Sequence, residues 1–387
     1  MSNEILPIVP SESITLVHSG QDYFDRLEKI ISASQFEIHL QIYIFENDAI
    51  GNKIAEALKK AAARKVQIYL LLDGFGSKSL PNKFITDLKE NGIKLRFFSP
   101  LLSANSFYIG RRLHQKVVVS DAKVVLIGGI NITEKYRGSI TETPWLDFAI
   151  QLNSNTIAKQ LQELCHDVFF KKPILRSNKI VALIHTPEET KVHILQNDWL
   201  KRKNEIQKAY IKYISNAKKE IIILGGYFLP GRKLTRTLKN AALNKVKVKL
   251  ILSGISDVPL LRGASHHFYA KIMRYDIEIY EWEKSVLHGK AAIVDSQWTT
   301  IGSFNLNKLS AYGSIEMNVG IESTSFSENY RNQLIQIIEQ CQKITPASLL
   351  SQQHHLSKYR NRLCYWFIRT ILIIITYLPY KRFLKPN

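Results

Sequence analysis

The feature that most constrains the fold of this chain is an internal repeat. FEIHLQIYIF (residues 36–45) and KEIIILGGYFL (219–229) are both apolar, rich in strand-forming residues and end in aromatic side chains. Each is followed by an amphipathic helix pattern that passes through a short basic turn into a buried strand, at residues 57–74 and 238–254. Polar residues recur together with the apolar pattern, so the repeat goes beyond the general likeness of βα units.

The repeat predicts an α/β protein with two lobes of like fold. Strands that alternate with helices of ordinary length are typical of βα units, so we expect mixed, largely parallel sheets covered by helices and a pseudo-twofold relation between the lobes. A length of 387 residues suits two domains. We predict an N-terminal lobe at residues 1–168, a polar, proline-interrupted linker at 169–194, a C-terminal lobe at 195–345 and a basic, apolar tail at 346–387.

A second repeat lies within the first and concerns polar residues. RRLHQKVVVSDAKVVLIGGIN and LHGKAAIVDSQWTTIGSFNLN both contain the pattern HxK, four residues, Asp, six residues, G[G/S]xN. Two intact copies of five fixed positions in one chain make a highly specific signal. The pattern residues are His114, Lys116, Asp121, Gly128, Gly129 and Asn131 in the first copy, and His288, Lys290, Asp295, Gly302, Ser303 and Asn305 in the second.

The spacing of this pattern predicts a phosphoryl-transfer site between the lobes. Residues i and i+2 of a strand point to one face, so His and Lys are presented side by side. Two ammonium groups and two amide groups form a pocket for phosphoryl oxygens without a metal or cofactor. One neutral imidazole then attacks phosphorus and the other, protonated, donates to the leaving oxygen. We predict His114, Lys116, Asp121, His288, Lys290 and Asp295 as the catalytic set, with both aspartates holding local structure in their turns, and Asn131, Asn305 and Ser303 as phosphate-binding residues.

The paired motifs resemble the HKD signature of the phospholipase D superfamily. LLLDGFGS (70–77), YFLPGR (227–232) and LHGKAAIVD (287–295) are further similar to the B-type bacterial cardiolipin synthases, and the likeness extends over roughly residues 13–345. The resemblance implies a covalent phosphohistidine with His114 as nucleophile and His288 as acid and base, although the two roles are exchangeable at this level. It also implies that Asp147 and Glu316 orient the imidazoles.

Charge and hydropathy indicate an anionic membrane surface as partner. The formal net charge is +20, which suits anionic lipid or nucleic acid. The stretch LCYWFIRTILIIITYL (363–378) has basic flanks and is shorter than the roughly 20 residues that span a bilayer, which favours an interfacial or partly inserted helix over one docked on the core. The first residues lack the features of a secretory signal, and three widely separated cysteines favour a reducing compartment.

These features together predict a phosphatidyltransferase of the cardiolipin synthase type, peripheral or monotopic on the cytoplasmic side of the inner membrane. Its expected substrate is phosphatidylglycerol as donor and acceptor. One alternative is another HKD phosphodiesterase, either a hydrolytic phospholipase D or a nuclease; the apolar tail argues against nucleic acid as partner. A second alternative is a non-catalytic protein that binds anionic lipid, which the two complete motifs disfavour.

Overall fold

The protein is described here from a computed structural model. The structure describes residues 13–99, 102–103, 106–107, 111–171, 179–185, 189–198, 203–255, 259–307, 310, 313–351, 363, 366–367 and 370. Most of the tail predicted from the sequence lies outside these residues.

The N-terminal half contains ten strands and five helices within the described residues. They are β1 (Ser13–His18), α1 (Gln21–Ala33), β2 (Glu37–Ile42), α2 (Ala49–Ala63), β3 (Gln67–Asp73), α3 (Asn82–Glu90), β4 (Lys94–Phe98), β5 (Leu102–Ser103), β6 (Ser106–Phe107), β7 (Arg112–Leu113), β8 (Lys116–Ser120), β9 (Val124–Gly128), α4 (Glu134–Arg137), β10 (Phe148–Asn153) and α5 (Asn155–Phe169).

The C-terminal half repeats this order, with extra strands at both edges of its sheet. Its described elements are β11 (Ile180–His185), β12 (Glu189–Asp198), β13 (Lys203–Asn204), α6 (Glu205–Asn216), β14 (Glu220–Gly225), α7 (Arg232–Leu243), β15 (Lys247–Ser253), α8 (Pro259–Ile272), a 3₁₀ turn (Met273–Tyr275), β16 (Ile277–Trp282), β17 (Lys290–Val294), β18 (Trp298–Gly302), β19 (Ser314–Glu322), α9 (Thr324–Ile338), β20 (Gln342–Ile344) and α10 (Pro346–Ser351).

Both sheets are mixed, which confirms the predicted two-lobed α/β class. The orders are β1-β10-β9-β8-β2-β3-β4 and β11-β12-β19-β18-β17-β14-β15-β16-β20. Along these two orders, parallel pairing is confined to β2-β3-β4 and β14-β15-β16, so the sheets are less parallel than we expected. The reason is the hairpins β8-β9 and β17-β18, whose short turns permit only antiparallel pairing.

The lobes pack against each other through a shared apolar core. Most helices of each lobe cover one face of its sheet. The other faces, together with α5 and α9, meet in a cluster that contains Val119 and Ile150 from the first lobe and Ile222 and Met317 from the second. Fully burying such a side chain stabilises the folded state by about 1.5–3 kcal/mol. A cluster of this size therefore fixes the relative position of the two sheets.

The second sheet begins inside the segment that we expected to be a linker. Strands β11 and β12 both start before residue 195; β11 pairs with β12, and β12 pairs with β19. The burial along β12 alternates over most of its length, which is typical of a strand with one buried face. Polar residues and a proline around these strands obscure that alternation in the sequence. We therefore propose that the second lobe begins near Ile180.

Candidate active site

The two HxK segments occupy matching positions at the ends of β8 and β17. Lys116 and Lys290 are the first residues of these strands, and each histidine lies two residues earlier. The ammonium group of Lys116 donates a hydrogen bond to the carbonyl of His114 (2.6 Å), and that of Lys290 donates to the carbonyl of His288. Both lysine side chains are buried. Each motif therefore places a buried cation directly beside its imidazole.

Reciprocal backbone contacts join the two motifs across the lobe interface. Strand β7, just before His114, pairs in parallel with the start of β19, and the His114 amide donates to the carbonyl of Ile315 (3.0 Å). In the other direction Leu146 bridges Leu287, and the His288 amide donates to the carbonyl of Leu146 (2.9 Å). The residue before each histidine is thus aligned with the residue before a carboxylate of the opposite lobe.

Each imidazole is hydrogen-bonded to a carboxylate of the opposite lobe. His114 Nδ1 lies 2.9 Å from Glu316 Oε2, and His288 Nδ1 lies 2.6 Å from Asp147 Oδ2. Both acids are fully buried. A carboxylate on Nδ1 fixes the tautomer that leaves the Nε2 lone pair available for reaction. The sequence had indicated these two acids, but it gave no sign that they are exchanged between the lobes.

Burial sets the ionisation of the two histidines. Loss of solvation lowers the pKa of His114, and the carboxylate of Glu316 only partly opposes this. Burial also lowers the pKa of His288 to about 3, with a further contribution from the neighbouring Lys290 ammonium. Burial would raise the pKa of Asp147, but Lys290 and His288 outweigh it, so that this pKa lies below its usual value. Both imidazoles are therefore neutral in the free protein at pH 7, as a nucleophile requires.

Burial also lowers the pKa of Lys116 to about 7, and the positive charge of Lys290 acts in the same direction. Between that value and the ordinary 10.5, the unfolded chain binds more protons than the folded one, so the free energy of unfolding rises with pH. We expect a gain of about 2 kcal/mol between pH 7 and pH 9 from this group. Urea denaturation of the wild type and Lys116→Met at both pH values measures it; the variant should lack this increment, and equal increments in both proteins would contradict the assignment.

The Gly/Ser difference between the motifs has a steric cause. A Cβ atom on Gly129 would lie 2.4 Å from both carboxylate oxygens of Asp147, so a side chain at this position would displace that acid. At the matching place in the second lobe, Ser303 donates from Oγ to Glu316 Oε2 (2.5 Å). Ser303 is therefore placed to orient Glu316, whereas the sequence had led us to expect that its side chain binds the phosphate.

The two motif asparagines differ in their contacts. Asn131 accepts a hydrogen bond from the Ile44 amide at Oδ1 (3.1 Å) and donates from Nδ2 to the Tyr136 hydroxyl (3.0 Å). Asn305 is also buried, but its Oδ1 has no hydrogen-bond partner in the described part of the chain. Of the two, Asn305 has the amide oxygen that remains available to a ligand.

Asp121 and Asp295 lie at the far ends of their strands. Asp121 accepts hydrogen bonds from the amides of residues 35, 36 and 37, each at 2.8 Å, and Asp295 does the same for residues 218, 219 and 220 at 2.7–2.9 Å. Four intervening strand residues separate each aspartate from its lysine by roughly 16 Å. This geometry supports the structural role that we expected for them in the turns.

Three tyrosines contact the imidazoles and were not singled out from the sequence. The Tyr136 hydroxyl lies 3.0 Å from His288 Nδ1, Tyr43 contacts the His114 ring edge-on, and Tyr227 contacts His288 in the same way. Tyr43 and Tyr227 belong to the aromatic residues near the ends of the two repeated apolar stretches, so the repeat itself contained a signal for them. Tyr136 had none, because the second lobe has Ser310 at the matching position. The residues that the structure describes contain no cluster of acidic, histidine and cysteine side chains suited to a metal ion.

This chain is similar in sequence to known proteins over most of its length. The family model described as cardiolipin synthase, PLD-like domain, matches residues 27–167 and 210–338, one match in each lobe. Among the curated relatives, cardiolipin synthase B of Escherichia coli K12 is 30% identical over 373 residues, covering 95% of this chain and 90% of its own. Minor cardiolipin synthase ClsB of Bacillus subtilis 168 is 27% identical over 319 residues, covering 81% and 78%.

A solved structure supports the fold. Phosphatidylserine synthase of Haemophilus influenzae Rd KW20 superposes with a TM-score of 0.73 at 14% identity, covering 94% of each chain. The similarity in sequence extends through both motifs and confirms the resemblance that they indicated. This chain belongs to the phospholipase D-like cardiolipin synthase family.

Proposed function

We propose that this protein is a cardiolipin synthase that transfers a phosphatidyl group from one phosphatidylglycerol to another. The observation that carries the proposal is the pair of imidazoles, each beside a buried lysine and each hydrogen-bonded to a carboxylate of the opposite lobe. A site with two oriented neutral bases and two cations suits displacement at a phosphodiester, where negative charge accumulates on phosphoryl oxygens.

In the first half-reaction His114 acts as nucleophile. Its Nε2 attacks the phosphorus of the donor, the bond from phosphorus to the glycerol oxygen breaks, and His288 gives a proton to that oxygen, so that glycerol leaves. His288 must be protonated for this step, and the negative phosphodiester beside it raises its pKa from the low value of the free protein. The His114 side chain is 14% exposed and that of His288 7%, which supports His114 as the group that meets the substrate.

In the second half-reaction, a hydroxyl of the acceptor lipid takes the place of the glycerol that has left. A hydroxyl of the acceptor phosphatidylglycerol attacks phosphorus, its proton passes to His288, and the bond from phosphorus to His114 breaks. The products are cardiolipin and the free imidazole, and His288 is protonated again for the next cycle. The negative phosphodiester raises the pKa of Lys116 from its low value in the free protein, so the ammonium groups of Lys116 and Lys290 both stabilise the charge in the two transition states. Exclusion of water by the lipid favours transfer over hydrolysis.

We further propose that the protein acts at the cytoplasmic surface of the inner membrane. Among the described residues, no helix has the length and hydropathy needed to cross a bilayer. In the tail, Leu363, Trp366 and Phe367 are 70%, 53% and 55% exposed. Their i, i+3, i+4 spacing places them on one helical face, which is the pattern of a helix that lies in the membrane interface.

Two loops beside the site carry exposed apolar side chains at matching positions. Phe75 and Ile255 follow the ends of β3 and β15 by two residues and are 42% and 43% exposed. Asp73 and Ser253, the last residues of these strands, accept hydrogen bonds from the amide just before each motif histidine (2.7 and 3.0 Å). The ammonium group of Lys78 lies 4.9 Å from the Phe75 ring centroid. An apolar tip beside a cation suits an anionic bilayer, which supports docking with the site facing the lipid.

The decisive test is expression of the full chain in bacterial cells that lack cardiolipin, followed by profiling of their lipids. Cardiolipin should reappear, and glycerol should be released when the purified protein is given phosphatidylglycerol vesicles. Phosphatidic acid as the only lipid product would favour a hydrolytic phospholipase D. Cleavage of DNA without lipid turnover would favour a nuclease, and lipid binding without any product would favour a non-catalytic protein.

Deletion of residues 357–387 should weaken membrane association and leave the two-lobed core stable, because this segment supplies the exposed apolar face and its flanking cations. Sedimentation with anionic vesicles measures the first effect, and thermal unfolding the second. A matched variant that replaces Trp366 and Phe367 with serine keeps the basic residues and separates the apolar from the electrostatic contribution. Unchanged sedimentation of both variants would refute the role of the tail.

A further inference from the structure

Among the motif residues and their strand partners, the buried polar atoms without a hydrogen-bond partner lie on the His114 side of the site. Asn197 is fully buried, and within the described residues neither its Oδ1 nor its Nδ2 has a partner. The same holds for Asn305 Oδ1 and for Glu316 Oε1, both buried. Leaving such an atom unpaired is costly, and native proteins keep few of them. Three unpaired side chains in one region indicate that a ligand completes their hydrogen bonds.

Asn197 faces the site because of its register in the sheet. It lies directly opposite Glu316 in the antiparallel pair of β12 and β19. Directly opposed residues of an antiparallel pair project from the same face of the sheet, with Cβ atoms about 4.5–5.5 Å apart. Glu316 Oε2 holds His114, so the free Oε1 and the Asn197 amide adjoin the nucleophile. Asn197 is outside the HxK motif and has no counterpart in the sequence repeat.

On the His288 side of the site, the polar side chains at the matching positions have hydrogen-bond partners. Ser19 follows β1 and lies opposite Asp147, the position that Asn197 has relative to Glu316; it donates from Oγ to the Trp145 carbonyl (2.6 Å) and accepts from the Asp147 amide (3.0 Å). Asn131, the counterpart of Asn305, uses both ends of its amide. Unpaired polar groups are thus confined to one half of a pseudo-symmetric site, which is expected if the two halves contact different parts of the substrate.

We propose that Asn197, Asn305 and the free oxygen of Glu316 form a subsite for the hydroxyl groups of a glycerol headgroup, next to His114. The unpaired atoms are mainly acceptors: three oxygens and one amide nitrogen. Ionised phosphate oxygens only accept hydrogen bonds and so cannot satisfy the three unpaired oxygens, whereas hydroxyl groups both donate and accept. A vicinal diol fits this set and is the group that distinguishes the headgroup of phosphatidylglycerol. This inference rests on the proposed function and identifies the groups that select the substrate.

A ligand-binding role and a purely structural role of Asn197 predict opposite effects on stability. Leucine has the branched shape of asparagine and the same number of side-chain heavy atoms, but it carries no polar side-chain atom. Because Asn197 has no protein partner to lose, Asn197→Leu should leave the unfolding temperature of the free protein unchanged or raise it. Gln196→Leu is the matched control: its side chain lies on the opposite face of the same strand and accepts a hydrogen bond from Lys203.

The experiment compares binding of glycerol 1-phosphate and ethyl phosphate by isothermal titration calorimetry. The two ligands share the phosphate and differ in the hydroxyl groups. The wild type and Gln196→Leu should bind glycerol 1-phosphate more tightly, by about three- to tenfold for each hydroxyl recognised, and Asn197→Leu should lose most of this preference while it retains ethyl phosphate binding. Equal affinities in the wild type, an unchanged preference in Asn197→Leu, or a lowered unfolding temperature of that variant would overturn the inference.

Two further measurements separate this inference from the proposed function and from the main competing ligand. Binding does not require turnover, so a hydroxyl preference in a protein that makes no cardiolipin would refute the synthase and leave the subsite in place. Cardiolipin synthesis without a hydroxyl preference would support the synthase and refute the subsite. Phosphoethanolamine serves as the third ligand, since an ammonium group also donates hydrogen bonds. Tighter binding of phosphoethanolamine than of glycerol 1-phosphate would replace the diol with a cationic headgroup and overturn the inference.

Discussion

His114→Ala and His288→Ala should each abolish cardiolipin formation in a protein that still folds. His114 provides the atom that bonds to phosphorus, and its removal leaves no route to the covalent intermediate, so we expect a loss of at least about 10⁴-fold. His288 moves the proton in both half-reactions, and its removal should cost about 10²–10⁴-fold. The measurement is conversion of phosphatidylglycerol in vesicles by purified protein, with circular dichroism as a check of folding.

A labelling experiment distinguishes the two histidines. With phosphatidylglycerol that carries ³²P, the wild type and His288→Ala should form a covalent, acid-labile adduct, slowly in the variant, and His114→Ala should form none. His193→Ala is the control, because His193 is bonded to Glu322 rather than to a carboxylate of the site. Labelling of His114→Ala but not of His288→Ala would exchange the roles, and near-wild-type activity of both variants would refute the mechanism.

Much of the fold could be predicted from the sequence because both its apolar and its polar patterns repeat. The repeat indicated two α/β lobes, and the HxK spacing placed histidine and lysine on one face of a strand. The extent of parallel pairing was overestimated because βα units dominate the apolar pattern, whereas the turns of Asp121 and Asp295 produce antiparallel hairpins. Both aspartates adopt positive φ in these turns (52° and 53°), which is the feature that suits Asp there.

The parts of the site that the sequence did not reveal depend on contacts between the lobes or on differences between them. The pairing of His114 with Glu316 arises from the bridge between β7 and β19, which joins segments about 200 residues apart and leaves no local pattern. Tyr136 and Asn197 break the repeat, so comparison of the two halves passes over them. A search for repeats finds the residues that the two lobes share. It misses the residues that differ between the lobes and give the two halves of the site different functions.

The second large effect is expected when the carboxylates that bind the histidine of the opposite lobe are replaced. Asp147→Asn and Glu316→Gln should each lower transfer by about 10³–10⁴-fold, because an amide cannot stabilise the imidazolium or hold the tautomer that exposes Nε2. Both substitutions keep volume and shape. The acids are fully buried, so thermal unfolding must accompany the assay to show that the loss of activity occurs in folded protein.

The pairing of each histidine with a carboxylate of the opposite lobe is tested by ¹⁵N NMR of the histidine side chains across a pH titration. Asp147→Asn should lower the pKa of His288, since the carboxylate that raises it is gone, and leave that of His114 almost unchanged. Glu316→Gln should do the opposite, with the larger fall at His114. If each substitution instead acted on the histidine of its own lobe, the imidazoles would be oriented within the lobes, and the interface would not be what assembles the site.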